Sequence, residues 1–386
     1  MRVLTLEDSW ELALRIHGLA EIGSSEFKSS SILIDLLRAN GFAAESPYKG
    51  IPTSFRAEKR VGSGRPTVAF LAEYDALRGI GHACGHNLIA SSTVSAAIRV
   101  SSSIKDGRVV VIGTPDEEGS GEWAGSKIVL AERGAFSDVD FVIMSHPGDR
   151  WAVAGQTLAV QDIEVTFHGV PAHSAANPQE GQSALDAAML SYAALNMLRQ
   201  HVRRDANVVM HGILREGGQA SNVTPEKAVL VFGIRSSDLA YETALIERFQ
   251  DIVKGCSLAT GTTYDFKFIG PLFSTTRVNR TLSGYMRECL VQKGVDCPAV
   301  EETWSEMPLA STDFSNVSRI LPSVSLQFQI APKGTPWHSK QSLEAAKSSG
   351  ARQPLSTTID VMSEVAKKLF EDEAFRERVA QEFRSG

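Results

Sequence analysis

Cysteine is scarce in this sequence, with four among 386 residues. So few cysteines do not form the dense disulfide framework of a small secreted domain; we expect reduced thiols, each a candidate ligand or nucleophile if it falls in a motif. Long hydrophobic runs are also missing, and none reaches the length of a membrane span. The acidic residues Glu7, Asp8 and Glu11 interrupt the apolar core that an N-terminal signal peptide would need. The sequence therefore predicts a cytoplasmic protein without a membrane partner.

An excess of basic residues is absent as well. The chain has 39 lysines and arginines against 45 acidic residues, which gives a net charge of −6 without a basic stripe. Nucleic acid is therefore excluded as an expected partner. With 43% hydrophobic and 22% charged residues the chain can bury one large core or two modest ones, and its length favours two domains.

The first 150 residues alternate between strand-like and helical patterns. The hydrophobic periodicity predicts strands over 67–72, 108–113 and 141–145, separated by helices over 86–103 and 123–133. Short apolar strands separated by helices indicate an α/β sheet with a substantial parallel part. Ligands bind beyond the carboxyl ends of such strands, which is where the polar clusters of this sequence fall.

The middle of the chain has a different order of elements, β-α-β-β-α-β, which is typical of a ferredoxin-like unit. We interpret residues 159–272 as an inserted domain. The α/β pattern then resumes, so residues 1–158 and 273–386 are predicted to form one discontinuous domain.

The segment Gly81-His-Ala-Cys-Gly-His-Asn87 contains the strongest local signal for a metal site. His82, Cys84 and His86 place two imidazoles and a thiol within five residues, and the glycines let the backbone fold tightly around an ion. The alternative is a helix-capping loop whose histidines bond to the backbone.

A run of three acids, Asp116-Glu117-Glu118, follows the second predicted strand. Adjacent carboxylates point in different directions, so one of the two glutamates can hold a metal while the other serves as base; the pattern alone does not say which. A surface acidic turn is the alternative. His146 ends the third strand, where a lone histidine is usually structural, but it lies level with the other two clusters.

A thiolate, imidazoles and a carboxylate together favour zinc, manganese or cobalt over magnesium or calcium. Two ions are plausible for this donor set. A water shared by two metals would be acidic enough to attack an amide carbonyl at neutral pH, with the free glutamate accepting its proton.

Four ordered motifs make the chain similar to a known family. They are Ala72-Glu-Tyr-Asp-Ala-Leu77, Gly81-His-Ala-Cys-Gly-His-Asn87, Gly113-Thr-Pro-Asp-Glu-Glu118 and Ser145-His-Pro147. In order and spacing they resemble the aminoacylase/carboxypeptidase G metallopeptidase family. The resemblance is strongest to its amidohydrolase branch, which includes p-aminobenzoyl-glutamate hydrolase and β-alanyl-lysine dipeptidase-like proteins. It extends from about Ala20 to Ser339, nearly the whole chain.

The resemblance implies a fold, an activity and a set of site residues. The fold is a discontinuous metallopeptidase catalytic domain with a central mixed sheet flanked by helices, and the insert is a ferredoxin-like lid and dimerisation domain that forms a homodimer or higher homo-oligomer. The activity is hydrolysis of the amide bond in a small N-acyl amino acid, aminobenzoyl amino acid or dipeptide, with two divalent ions (Mn, Zn or Co) per chain. The site residues that the resemblance implies are the metal ligands Cys84, His86, Glu118, His146 and His338, the general base Glu117, the oxyanion donor His173 serving the active site of the partner subunit, the carboxylate-binding Asn222 and Arg235, and Asp75, which orients a ligand.

Three positions depart from the family pattern. Arg78 and Ala20 stand where prolines are usual, and Trp123 lies in a stretch that is commonly glycine-rich. None of them removes a ligand, but Arg78 and Trp123 are candidates for reshaping the pocket, so the resemblance does not carry over a specific substrate.

Three other functions stay open at this point. Cys84 can be interpreted as a nucleophile with His86 or His146 as its base, although Glu117, Glu118 and His338 then have no role. The same metal site can remove an amine hydrolytically from an unusual, aromatic substrate, which Trp123 would suit. Finally, the chain can be a catalytically silent homologue that binds a small molecule, an interpretation that a missing base or ligand would favour.

Overall fold

The computed structural model describes residues 4–302 and 310–385, which divide into two compact units. The first unit comprises residues 4–156, 276–302 and 312–385, and the second comprises residues 157–275 with 310–311. The predicted architecture, an α/β domain interrupted by a β-α-β-β-α-β insert, is confirmed. In the described part of the chain, no helix has both the length and the apolar character to cross a membrane. All four cysteines are free thiols.

The elements are numbered here in chain order over the described residues. The strands are β1 (Ala43–Glu45), β2 (Phe55–Val61), β3 (Thr67–Ala72), β4 (Gly107–Gly113), β5 (Phe141–Gly148), β6 (Ala152–Val153), β7 (Ala159–His168), β8 (Val209–Glu216), β9 (Lys227–Ser236), β10 (Thr263–Phe273) and β11 (Ser323–Gln329). The helices are α1 (Leu6–Leu19), α2 (Phe27–Ala39), α3 (His86–Ser101), α4 (Ser126–Glu132), α5 (Ala184–Leu198), α6 (Leu239–Thr260), α7 (Arg280–Gln292), α8 (Phe314–Ser318), α9 (Lys340–Ala345), α10 (Arg352–Glu371) and α11 (Glu373–Ser385).

A mixed sheet in the order β1-β2-β4-β3-β5-β11-β6 forms the centre of the first unit. Strands β4, β3, β5 and β11 are parallel to one another, β2 and β6 join them antiparallel, and β1 pairs antiparallel with β2. The parallel strands consist largely of apolar and β-branched residues and are buried on both faces, as helix-covered strands require. Their carboxyl ends therefore meet at one edge of the sheet.

Helix α3 packs against this sheet and is almost completely buried. Its small serine, threonine and alanine side chains allow close approach, and the buried hydroxyls find partners. The hydroxyl of Thr93 donates to the carbonyl of Leu71 at 2.8 Å, and the hydroxyls of Ser92 and Ser145 lie 2.8 Å apart. These contacts fix the helix, and so the motif at its N-terminus, against strands β3 and β5.

The second unit is a four-stranded antiparallel sheet in the order β10-β7-β9-β8 with two helices, α5 and α6. This is the ferredoxin-like strand order, with the first and third strands in the centre. Its core combines alternate side chains of the central strands with the inner faces of both helices. Strand β8 is one edge of the sheet and β10 is the other.

Some predicted boundaries were wrong. Helix α4 begins at Ser126, not at Trp123, because the amide of Trp123 donates to the carboxylate of Asp116 in the preceding loop. Strand β5 continues to Gly148, so His146 lies inside the strand and not after its end. Strand β2 was not predicted, because its second half, Glu58-Lys-Arg60, is polar.

Candidate active site

Side chains that follow the parallel strands meet at the carboxyl edge of the first unit's sheet. Glu73 and Asp75 come directly after β3, Glu117 and Glu118 follow β4, and His146 lies near the end of β5. The N-terminus of α3 reaches the same edge and adds the Cys84–His86 segment. The prediction that these clusters share one edge of the sheet agrees with this arrangement.

A single glycine, Gly85, separates Cys84 from His86 at the start of α3. Gly85 has a φ of +82°, and a Cβ at this position would lie 2.5 Å from Cγ of Pro147. Only glycine combines this backbone conformation with this close approach. The tight turn places Sγ of Cys84 3.5 Å from Nε2 of His146, and the rings of His86 and His146 meet edge to face at 5.8 Å.

His86 is completely buried, and a carboxylate fixes its orientation. Its Nδ1 donates to Oδ1 of Asp75 at 2.8 Å, so Nε2 faces the site. Nε2 lies 3.3 Å from Oε2 of Glu73 and has no hydrogen-bond partner among the described residues. Burial lowers the pKa of His86, but the charges of Asp75, Cys84 and Glu73 outweigh it and raise this pKa well above its usual value.

The acidic turn after β4 is shaped by Asp116, whose backbone is left-handed with a φ of 57°. Its carboxylate accepts the amide N–H groups of Gly121 and Trp123, each at 3.0 Å, and the hydroxyl of Ser24 at 2.6 Å. Asp116 therefore closes the loop and does not enter the metal cluster. The Trp123 ring lies 5.0 Å from the guanidinium carbon of Arg133, on the side of α4.

The next two carboxylates turn toward different neighbours. Oε1 of Glu118 lies 3.5 Å from Nε2 of His338 and 3.9 Å from Nε2 of His86. Glu117 reaches His86 at 3.9 Å with Oε2, and its carboxylate also lies within 4.8 Å of two further buried carboxylates, those of Glu73 and Asp313. Burial and these two negative charges raise the pKa of Glu117 well above its ordinary value. A raised pKa makes a carboxylate a stronger proton acceptor.

His338 lies in a loop after β11 and is half exposed, with 49% of its side chain accessible. Its φ of 55° is unusual for a residue other than glycine, and such strain often accompanies functional positions. Asn87, the residue after His86, is fully buried and donates to the carbonyls of Ala13 at 3.2 Å and Ala346 at 3.1 Å. Asn87 thus holds the C-terminal end of α9, the helix that follows His338, against the start of α3.

The structure brings all five proposed metal ligands into groups whose donor atoms lie within 4.8 Å of one another. These groups are Cys84, His86 and His146; Cys84, Glu118 and His338; and His86, Glu117 and Glu118. Two donor atoms in them, Nε2 of His86 and Oε1 of Glu118, are buried without a hydrogen-bond partner among the described residues. Buried polar atoms are normally paired, so the arrangement fits a bound cation.

The environment of Cys84 does not suit a nucleophile. Burial raises the pKa of this thiol, and the carboxylates of Glu118 and Glu117 add to the effect against the opposing influence of His86, so that its pKa lies well above the usual range. Burial also lowers the pKa of His146 to about 4. Reactive thiols sit in electropositive surroundings with a depressed pKa, and the surroundings of Cys84 are the opposite unless a metal cation is present.

His82, the first histidine of the motif, lies outside all of these groups. It is buried, and its ring faces the ring of His17 with the centroids 5.8 Å apart. Burial lowers its pKa to about 3, so the imidazole is neutral. The sequence motif did not distinguish its packing role from the positions of Cys84 and His86.

His173, Asn222 and Arg235 lie in the second unit. His173 is in an exposed loop that pairs with the loop of Asn222: the amide of Ser174 donates to the carbonyl of Asn222 at 3.0 Å. Arg235 lies on β9, where its Nε donates to Nε2 of His211 at 3.3 Å. The structure therefore places His173 and Asn222 in neighbouring loops of one unit.

Three charged residues of the site were missed as site residues by the sequence reasoning. Lys127 and Asp313 are fully buried and form an ion pair at 2.6 Å, and Glu73 forms another with Lys127 at 2.6 Å. The available signal was one lysine directly before the apolar residues 128–130. A single lysine at a helix start is usually solvated, and nothing in the sequence pairs it with an aspartate 186 positions away.

Comparison with known proteins agrees with this geometry. The model of the peptidase dimerisation domain of the M20 family matches residues 160–256. The chain is 35% identical to a Xaa-Arg dipeptidase of Mus musculus over 352 residues, which cover 88% of this chain and 80% of the relative. It is 31% identical to one of the p-aminobenzoyl-glutamate hydrolase subunits of Escherichia coli (strain K12) over 307 residues, 74% of this chain and 62% of the relative.

Solved structures share the fold at lower identity. A Bacillus subtilis protein, described as a dinuclear metal binding peptidase from the M20 family, has a TM-score of 0.72 at 18% identity, covering 95% of this chain and 98% of that structure. An aminobenzoyl-glutamate utilization protein from Klebsiella pneumoniae has a TM-score of 0.68 at 20% identity, covering 92% and 98%. The family membership predicted from the motifs is thereby confirmed, as is the prediction of a hydrolase of peptide or amide bonds: the chain belongs to the M20 peptidase family.

Proposed function

We propose that this chain is a metal-dependent amidohydrolase with two divalent ions, which cleaves the amide bond of a small dipeptide or acylated amino acid. The observation that supports it most is the convergence of five donors at one edge of the sheet, with Nε2 of His86 and Oε1 of Glu118 buried and unpaired among the described residues. The proposed ligands are Cys84, His86, Glu118, His146 and His338. A thiolate and three imidazoles favour zinc, manganese or cobalt.

Bound ions at this site would polarise the amide carbonyl and acidify a water. Glu117 accepts the proton of the attacking water on its carboxylate and passes it to the leaving amine nitrogen. Its raised pKa suits both steps, since the group must first take the proton and then release it. Asp75 holds the Nδ1–H of His86 and, through Oδ2, the amide of Glu118 at 3.0 Å, so one carboxylate orients two proposed ligands.

The second unit supplies the groups for substrate binding in this proposal. Nδ1 of His173 accepts the amides of Ala175 and Ala176 at 3.2 Å each, which leaves the ring proton on Nε2 as a donor for the developing oxyanion. Asn222 and Arg235 hold the carboxylate of the substrate, for which a guanidinium fork is well shaped.

The substrate proposal combines the site with the names of the relatives. A Xaa-Arg dipeptide and p-aminobenzoyl-glutamate share an amide bond next to a free α-carboxylate, and this shared feature is what Arg235 would recognise. We propose a dipeptide with a basic C-terminal residue as the first substrate to test, because the dipeptidase covers the larger share of the chain.

The experiment is an amine-release assay on metal-free protein reconstituted in turn with manganese, zinc and cobalt. The substrates are Xaa-Arg and Xaa-Lys dipeptides, p-aminobenzoyl-glutamate and N-acetyl amino acids. We expect no turnover without metal, two ions per chain at saturation, and release of a free amino acid. Activity that survives complete metal removal but is lost on thiol alkylation would instead support the Cys84 nucleophile. Release of ammonia alone would support the deaminase, and binding without turnover the silent homologue.

We further propose that the chain forms a homodimer through the second unit. Strand β8 is a sheet edge, and it exposes Ile213 and Leu214; the neighbouring α5 exposes Met189, Leu190 and Met197. An exposed edge strand beside apolar side chains is a surface that proteins normally cover. A two-fold axis would pair this surface with its own copy.

Ile213→Lys tests this dimer. The lysine adds a charge to the edge strand without removing any buried contact, so the variant should be monomeric by light scattering while it keeps its helix and strand content. Phe268→Lys is the matched control, because Phe268 is equally exposed on β10, at the opposite edge of the same sheet. If the control dissociates and Ile213→Lys stays dimeric, the interface lies on the β10 side.

A further inference from the structure

Lys127 is a buried cation that no step of the proposed reaction uses. It lies in the first turn of α4 with no exposed surface, and its Nζ is 2.6 Å from Oε1 of Glu73 and 2.6 Å from Oδ1 of Asp313. Its backbone N–H donates to the other oxygen of Asp313 at 3.1 Å. Both carboxylates are also fully buried. A buried ammonium is tolerated only where such partners compensate for the water it has lost.

The carboxylates around Lys127 form a donor set of their own. One oxygen each of Glu73, Glu117 and Asp313 lies within 4.8 Å of the others. Three carboxylate oxygens are the ligand type of hard cations such as calcium and magnesium, in contrast to the thiol and imidazole groups next to them. Glu117 also belongs to the group with His86 and Glu118. The proposed base therefore lies between two places where a cation can be held.

Lys127 stays charged in this environment. Burial alone would lower its pKa, but the negative charges of Asp313, Glu73 and Glu117 outweigh burial and keep the pKa above its usual value. The ammonium is thus a permanent cation among the three carboxylates, attached to the chain through its helix.

We propose that Lys127 is a tethered cation that fills this all-oxygen site, excludes free hard cations from it, and so keeps Glu117 unligated and available as the base. Lys127 is then a positioning residue that distinguishes Glu117 from its neighbour Glu118. The statement about Glu117 as base rests on the proposed function, whereas the statement about ion binding at the three carboxylates does not.

The test replaces Lys127 with methionine, which is unbranched and one atom shorter, so the charge is removed with little loss of packing. Protein whose thiol and imidazole donors are first saturated with zinc is titrated with calcium, which prefers oxygen ligands. Wild-type protein should bind no calcium at this site. Lys127→Met should bind one Ca²⁺ per chain with a Kd on the order of 10⁻⁴–10⁻³ M, as weak oxygen-ligand sites do. Lys254→Met, which removes an exposed lysine on α6, is the control and should behave as wild type.

A second variant disrupts the three-carboxylate site that Lys127→Met leaves without its ammonium group. Lys127→Met combined with Asp313→Asn takes away one of the three carboxylates, so the added calcium binding should be lost again. If Lys127→Met is poorly folded without calcium, calcium should raise its Tm, and it should not do so in the double variant. A Lys127→Met protein that neither binds calcium nor gains stability from it overturns the proposal.

Kinetic measurements distinguish a failure of the inference about Lys127 from a failure of the proposed amidohydrolase function. In Lys127→Met, calcium should lower kcat by more than tenfold with little change in KM, and dialysis against calcium-free buffer should restore it; wild-type kcat should not respond. If the wild-type chain hydrolyses no amide, the proposed function fails, yet the calcium titration still decides whether Lys127 fills the site. If hydrolysis is normal and calcium binding is absent, only the present inference fails.

Discussion

Asp75→Asn is the most informative single substitution at the candidate active site. The Asp75 carboxylate is buried and accepts two hydrogen bonds, from Nδ1 of His86 at 2.8 Å and from the amide of Glu118 at 3.0 Å. Asparagine has the same shape but one acceptor and one donor group. If its oxygen faces His86, its NH₂ group meets the Glu118 N–H, donor against donor. If its oxygen faces Glu118, the NH₂ group meets Nδ1 and forces the ring proton onto Nε2, the atom proposed to bind metal.

Both orientations of the asparagine amide cost a similar amount of free energy. A buried donor left without an acceptor costs about 1–3 kcal/mol. Loss of a carboxylate behind a metal-binding histidine typically weakens metal affinity about 10–100-fold. That factor corresponds to about 1.4–2.7 kcal/mol, which agrees with the first figure. We therefore expect the metal Kd of Asp75→Asn to rise by about 10–100-fold.

The assay is competition for zinc between the protein and a chromophoric chelator of known affinity, followed by kcat and KM at saturating metal. Asp35→Asn is the control, since Asp35 is exposed on α2 and should leave the affinity unchanged. Circular dichroism checks that the metal-free variant is folded. An affinity equal to wild type in a folded Asp75→Asn protein would refute the assignment of His86 and Glu118 as ligands held by this carboxylate.

Three further predictions concern the base, the subunit arrangement and the second unit. Glu117→Gln should keep two bound ions and lose about 10²–10⁴-fold in kcat, while Glu118→Gln should lose metal first, and the opposite pattern in elemental analysis would reverse the two roles. Glu117→Ala and His173→Ala should each be nearly inactive, yet their random mixture should recover roughly a quarter of wild-type activity if His173 serves the partner subunit, because about half of the dimers then contain one intact site. Confirmed mixed dimers without recovery would place His173 in the site of its own chain. Burial raises the pKa of Glu242 to about 8 from its ordinary 4.5, against the opposing influence of Arg235, so the folded state keeps a proton that the unfolded chain loses; stability should therefore fall as the pH rises from 4.5 to 8. Glu242→Gln should remove that fall and stabilise the protein at pH 8 by about 2–4 kcal/mol. Equal thermal unfolding of both proteins at pH 5 and pH 8 would contradict this.

The parts of the fold that sequence patterns predicted best are those specified by local physics. The start of helix α1 is an example, because Thr5 and Asp8 form a capping box whose two residues are only three positions apart in the sequence. Strand β3 matches as well, since the five apolar residues after Thr67 form a short run that favours a strand buried on both faces. Helix α4 was predicted too long at its start because Trp123 is held by Asp116, a contact that its own periodicity does not reveal.

The candidate site divides in the same way. Cys84 and His86 can be recognised in the sequence because their spacing is typical of metal ligands. Glu117 and Glu118 can be recognised because they follow a predicted strand. His338 was found only through the family resemblance, since it meets the other donors through a contact with Glu118 that is distant in sequence. The Lys127–Asp313 pair was beyond any pattern in the sequence, because the partners meet only once the α/β domain has folded. The cytoplasmic location and the individual site roles stay predictions.

The insert also affects how the chain folds. Val160 and Phe273 are antiparallel register partners, so the insert leaves the α/β domain and returns to it at nearly the same point. Strands β5 and β11 are distant in sequence, and a folded insert acts as a short link within the connection between them, which lowers the entropic cost of pairing these two strands. His338 is synthesised after the insert, however, so a nascent chain cannot complete the proposed set of five ligands until the insert has emerged. The α/β domain should therefore tolerate replacement of residues 161–272 by a few-residue turn and keep its proposed metal ligands, while losing His173, Asn222 and Arg235, the proposed substrate-binding groups.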